Sequence, residues 1–229
     1  MSTVIQFNYR LFQDINIHAG HLVWLDALMI FCANTLIFLW PLVLLMLWGR
    51  PLSWRKRPLR PGEAEMVREC RAVVLWTGVA CLIAYGLNLL IEQVVFEPRP
   101  FVSHPVHLLV AHPADDSFPS DHAAWSFAVV GMLLFLFLPI FVATWRKRAE
   151  WRRGGFAYLL LPLLLMGVAL TIACSIGLAR VFVGVHYPGD IAGGAFDGLV
   201  AAGIVTQVRY WLRRPTDAIL RFAQGLHLA

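Results

Sequence analysis

Apolar runs long enough to cross a bilayer recur five times in this chain, and they restrict it to a helical, membrane-embedded fold. The hydrocarbon core of a bilayer takes about 20 apolar residues to span as a helix. Only structures that close their own backbone hydrogen bonds survive there. The runs lie roughly at 22–48, 72–96, 123–144, 157–178 and 190–212. Composition excludes an ordinary soluble bundle: 59% of the 229 residues are hydrophobic and 14% are charged, against about 25% charged in soluble domains. Ahead of the first run, Ile5, Phe7, Leu11, Phe12 and Ile15 recur near one helical face. Residues 4–17 therefore read as an amphipathic helix at the membrane interface, or as a sixth core helix. The expectation is an all-α polytopic bundle, a single domain over residues 1–229. No basic segment precedes the first run, so the first span is expected to insert uncleaved.

Charge placement orients the spans. Arg50, Arg55, Lys56, Arg57, Arg60, Arg68 and Arg71 follow the first run, and Arg146, Lys147, Arg148, Arg152 and Arg153 follow the third. Arg213, Arg214 and Arg221 lie in the tail. The opposite side holds only Arg10, Arg99 and Arg180 of the 19 lysines and arginines. The positive-inside rule makes the basic loops cytoplasmic. The net charge of +5 then reports topology and contact with anionic lipid, with no nucleic-acid partner required. Cys32, Cys81 and Cys174 fall in apolar runs and Cys70 in a basic loop. They read as free thiols, without metal-ligand spacing.

Three polar stretches end the apolar runs on the outward side: Arg99-Pro100 in FEPRPFV, Pro119-Ser120-Asp121-His122, and Arg180 to Asp190 in ARVFVGVHYPGD. Two arginines as nearly the only outward cations point to anion binding, because guanidinium forks match phosphate oxygens and stay charged when desolvated. Ser120 or Asp121 is placed to cap the following helix, whose N-terminus itself favours anions. His122 at that start can titrate near neutral pH and donate a proton. His186 and Asp190 stand four apart across a helix start. A carboxylate there can hold one ring nitrogen and leave the other as a nucleophile.

These stretches resemble the signature of the type 2 phosphatidic acid phosphatase (PAP2) superfamily over roughly residues 85–200. That signature is a lysine, six residues and Arg-Pro; Pro-Ser-Gly-His; then Ser-Arg, five residues, His, three residues, Asp. Arg99-Pro100, Pro119-Ser120 with His122, and Arg180, His186 and Asp190 match it. SFPSDHA, ARVFVGVHYPGD and the opening FNYRLFQDIN look most like the bacterial undecaprenyl-diphosphate phosphatase branch, the bacitracin-resistance type. Three positions depart: Glu92 for the lysine, Asp121 for the glycine, and Ala179 for the serine. Glu92 cannot clamp phosphate. It is left to pair with Arg99 or Arg180, to recruit a cation, or to face a helix neighbour.

The resemblance implies a phosphatase without an obligatory metal or cofactor. His186 would attack phosphorus, Asp190 orient the imidazole, and His122 protonate the departing oxygen. Arg99, Ser120 and Arg180 would bind phosphate oxygens. The expected substrate is undecaprenyl diphosphate at the outer face of the bacterial cytoplasmic membrane, recycling the cell-wall lipid carrier. The sequence leaves open a phosphatidylglycerophosphate or phosphatidate phosphatase, and a transferase passing phosphate from the polyprenyl carrier to lipid A. A channel or transporter that binds anions without turnover is the reading from a different class. The vanadate haloperoxidases share the signature, but their soluble chains lack such spans.

Overall fold

Many large apolar side chains of this protein point outward, while small ones fill the contacts between its central helices. The computed structural model describes residues 3–49, 61–146, 155–211 and 213–226, with side chains excluded at 61–66, 136–146 and 155–162. Among them Leu82, Leu90, Leu164 and Phe196 are exposed, whereas Ala80, Ala84, Ala124, Ala128, Ala201 and Ala202 are buried together. Exposed apolar surface on that scale needs lipid as solvent. Small residues let helix backbones approach where no hydrophobic effect drives them together.

The helices in order are α1 (Thr3–Asn16), α2 (Val23–Asn34), a 3₁₀ turn (Leu36–Phe38), α3 (Leu39–Trp48), α4 (Pro61–Glu92), the one-turn α5 (Pro100–Ser103), α6 (Asp121–Arg146), α7 (Gly155–Phe182), α8 (Pro188–Val208) and α9 (Arg213–Gly225). The described residues form no strand. Val67–Glu92, Leu163–Phe182 and Pro188–Val208 are each long and apolar enough to span, and the bent α2–α3 pair is a fourth candidate. Helix α6 has 26 residues, about 39 Å at 1.5 Å each, and covers the third apolar run.

The first run is thus not one straight helix, as its composition suggests. It bends by 44° after Asn34. Pro41 stands in the first turn of α3 and offers no N–H to the carbonyl four residues back, which favours a break just upstream. Trp40, beside it, donates from Nε1 to Ser126 Oγ on α6 at 3.0 Å. The second run ends as a helix at Glu92 rather than near residue 96, because Pro98 and Pro100 draw the chain into an extended exit. Helix α1 divides its apolar face. Phe12 packs on Val181 and Tyr187 while Ile5, Phe7 and Leu11 point outward. Helix α9 was not foreseen from the sequence; Arg68 of α4 ties it down through Asp217 at 2.7 Å. The basic clusters 50–60 and 147–153 lie outside the described residues.

Helices α6 and α8 form the centre of the bundle. A Cβ at Gly194 would stand 2.3 Å from the Ser120 carbonyl oxygen, and one at Gly198 2.3 Å from that of Ala124. The two backbones therefore touch, and this locks Ser120 beside Asp190. Helix α7 ends in a Schellman turn: Gly184 sits at φ +89°, Val185 N–H donates to Arg180 O at 3.2 Å and Gly184 N–H to Val181 O at 3.1 Å. Asn16 of α1 fastens this turn, its Nδ2 donating to Phe182 O and His107 O, both at 2.8 Å. The C-terminal ends of α4 and α7 and the N-terminal ends of α6 and α8 consequently meet at one end of the bundle.

Gly198→Val is expected to destabilise the protein by at least about 2 kcal/mol, because backbone rather than a movable side chain blocks the new atoms. Gly78→Ala, where nothing lies within 4 Å of the added Cβ, serves as the neutral control. Thermal unfolding in detergent reads both; equal melting temperatures would contradict the packing.

Candidate active site

The interhelical end gathers residues from all three polar stretches. Pro188 opens α8 with Tyr187 as its N-cap, which turns the Asp190 carboxylate back over the preceding residues. Asp190 is fully buried. Its Oδ2 accepts from Tyr187 N at 2.7 Å, from Ser117 Oγ, and faces His186 Nδ1 at 3.3 Å. The same Nδ1 lies 3.0 Å from Ser117 O. Two acceptors on one ring nitrogen assign the proton to Nδ1 and leave the lone pair on Nε2.

Only donors face that lone pair. Arg99 Nη1 is 3.2 Å and Arg180 Nη2 3.5 Å from His186 Nε2. Arg99 is buried and fixed from two sides, Nη1 donating to Val185 O at 3.0 Å and Nε to Asp115 Oδ1 at 2.6 Å. Burial, then the charges of Arg180 and Arg99, holds His186 well below its ordinary value of 6.5. The ring is therefore neutral at physiological pH, as a nucleophile must be.

The remaining predicted residues lie around this centre. Ser120 donates its backbone N–H to Asp190 O at 3.1 Å. Its hydroxyl does not cap α6: Oγ is buried and has no partner among the described residues. Asp121 accepts from Asn88 Nδ2 of α4 at 2.8 Å, which links the second stretch to the second span. His122 is close enough to His186, Arg180 and Arg99 for their charges to act on it, with no hydrogen bond to them among the described residues. Glu92 is the outlier. It feels the charges of Asp121, Asp115, Asp116 and Arg99 but forms no ion pair among the described residues. The partner of Arg99 is Asp115. The described residues contain no group of three or more ligand side chains fit for a metal ion.

Several residues at the site escaped sequence reasoning. Ser117, Asp115 and His112 all lie in the loop before α6. The only available signal was their closeness to Pro119-Ser120-Asp121-His122, and a polar loop before a helix is commonplace. Burial and then the charge of Asp190 push Glu97, at the exit of α4, up to about 7.

A family model described as the PAP2 superfamily matches residues 73–214. The chain belongs to the PAP2 superfamily. It is 30% identical over 221 residues to the undecaprenyl-diphosphatase BcrC of Bacillus subtilis (strain 168), covering 96% of this chain and 93% of that one. A putative undecaprenyl-diphosphatase of Escherichia coli (strain K12), YbjG, is 30% identical over 193 residues, 84% of this chain and 78% of the other. The crystal structure of Aquifex aeolicus LpxE superposes with a TM-score of 0.60 at 20% identity, over 88% of this chain and 95% of that one, which shows a shared fold. Within this PAP2 chain, Ala179 is fully buried among Phe182, Val183 and Val185. The position of the family's serine is therefore filled by apolar packing.

His186 makes a pH prediction. A folded-state value far below the ordinary 6.5 means that the unfolded chain binds a proton first as pH falls. Stability is then complete above pH 6.5 and declines below it, toward the folded-state value. Melting temperature should drop between about pH 7.5 and about pH 5, and the drop should shrink in His186→Asn. An unchanged drop in that variant would remove the burial argument.

Proposed function

We propose that this membrane phosphatase hydrolyses undecaprenyl diphosphate to undecaprenyl phosphate through a phosphohistidine on His186. The observation that carries the reading is the pair of guanidinium groups converging on the unprotonated Nε2 of His186, whose other nitrogen is held by Ser117 and Asp190. A phosphoryl group presented there meets its nucleophile and two bidentate-capable cations at once. The similarity to BcrC along 96% of the chain supports the choice of substrate.

In the proposed reaction the Nε2 lone pair attacks the terminal phosphorus. The bond from that phosphorus to the bridging oxygen breaks, and its electron pair leaves with undecaprenyl phosphate. Arg99 and Arg180 take the equatorial charge, with the unpaired Ser120 hydroxyl as a further donor. Asp190 stabilises the positive charge that develops on the ring. Water then attacks the phosphorus, His122 accepts its proton, and cleavage of the P–N bond frees inorganic phosphate and restores neutral His186. The leaving group is already a stable phosphate anion, so His122 matters less in the first step than it would for an alkoxide. No step needs a metal.

The reading places the chemistry at the outer face of the bacterial cytoplasmic membrane, in a single integral-membrane domain. Its support is the positive-inside bias of the sequence and the meeting of the polar stretches at one bundle end. The isoprenoid tail would lie along the exposed leucines of the spans.

Purified protein in detergent should release one phosphate per undecaprenyl diphosphate, undiminished by a chelator. His186→Ala should lower the rate at least about a thousandfold. Near-normal turnover in that variant would remove the nucleophile assignment, and hydrolysis of phosphatidate alone would move the substrate to the monoesters.

A further inference from the structure

Arg99 and Arg180 suffice to hold one phosphoryl group on His186, yet a third imidazole stands at the same centre. His112, in the loop between α5 and α6, has its ring centroid 6.4 Å from that of His186 and inclined at 69°. Its side chain is 20% exposed, whereas His186 is buried, so it lies on the outward side of the nucleophile. His112 Nδ1 is 3.1 Å from Pro113 O and 3.7 Å from Asp115 Oδ1. The hydrogen bond to Pro113 O, with the Asp115 carboxylate on the same side, assigns the proton to Nδ1. His112 Nε2 has no partner among the described residues. Asp115 faces both His112 and Arg99, and so couples the outward imidazole to the buried guanidinium.

Any substrate whose terminal phosphorus sits at His186 must extend outward. In a monoester the next group is an alkoxyl oxygen and an apolar chain. In a diphosphate it is a second phosphate with its own negative charge. We propose that His112, braced by Asp115, forms a second phosphate subsite that receives the departing phosphate of a diphosphate and selects diphosphates over monoesters. This rests on the phosphohistidine reading above and adds a residue to it. As the bridging bond breaks, the electron pair passes to the oxygen of the leaving phosphate, and His112, protonated on both nitrogens, donates from Nε2 to that growing charge. No proton need be transferred to the leaving group.

The electrostatics agree with the geometry. Burial holds His112 below its ordinary value, with the charges of Arg99 and Arg180 acting the same way and the hydrogen bond to Pro113 opposing them. An arriving phosphate offsets both arginines, so the imidazole can take up a proton at Nε2 from bulk solvent as the diphosphate binds. His122, His186 and Asp115 are the other titratable groups close to it.

The test compares full-length wild type and His112→Gln in detergent, with undecaprenyl diphosphate and phosphatidate as substrates. Loss of a charge-assisted hydrogen bond should lower kcat/KM for the diphosphate at least about tenfold and leave that for phosphatidate within about twofold. Inhibition by methylenediphosphonate should weaken about tenfold while inhibition by orthovanadate stays the same. Equal losses on both substrates would mean that His112 merely positions Arg99, and no loss on either would remove the subsite; each overturns the proposal. If His112→Gln melts early, His112→Asn is subject to the same criteria. A wild type inactive on every diphosphate would sink the proposed function and the subsite together. An active wild type with an indifferent His112→Gln would sink the subsite alone.

Discussion

A single buried carboxylate holds the functional end of this molecule together. Asp190 takes hydrogen bonds from the backbone of Tyr187 and the hydroxyl of Ser117, faces His186 Nδ1 with the same oxygen, and offers its own carbonyl to the amide of Ser120. A charge in that position is costly unless fully compensated. The contacts on the carboxylate come from two separate stretches of the chain, the loop before α6 and the turn before α8, so its position depends on both being in place. Close contact between α6 and α8 at Gly194 and Gly198 makes the arrangement possible, since any side chain there would hold Ser120 away from Asp190.

The same logic extends outward through the arginines. Buried Arg99 needs an anion when no substrate is present, and Asp115 supplies it from a half-exposed loop position. Burial pushes Asp115 up, but the hydrogen bond and charge of Arg99 outweigh it and hold the carboxyl below its ordinary value. Further in, Arg180 Nε and Ser120 Oγ are buried without partners among the described residues, as is the acceptor Asp190 Oδ1. Buried donors left unpaired are costly, and a phosphate would satisfy them.

Much of this was legible in the sequence because membrane insertion simplifies the code. Runs of apolar residues have one structural solution in lipid, and the spacing of Arg180, His186 and Asp190 fits only a helix end, a turn and a helix start. The helices that begin at Asp121 and Pro188 start within two residues of the apolar runs at 123 and 190. The bend after Asn34 was hidden because both sides of it are equally apolar; only Pro41 marked it. Helix α9 was missed because arginine-rich tail sequence lacks an apolar run, and its anchor, Arg68 to Asp217, joins residues far apart in the chain. Asp115 and His112 were invisible for a related reason. Their roles come from the path of a loop, which Asn16 of α1 and the turn at Gly184 hold in place, and no local periodicity encodes that path.

In the proposed reaction His186 Nε2 becomes covalently phosphorylated. The direct measurement is to quench the enzyme during turnover of undecaprenyl diphosphate labelled in its terminal phosphate, then map the label by mass spectrometry of peptides under alkaline conditions. An acid-labile phosphoramidate on His186 is expected, formed and lost at rates compatible with turnover and absent in His186→Ala. Label found on His122 or on Ser120, or turnover with no labelled peptide at any quench time, would contradict it.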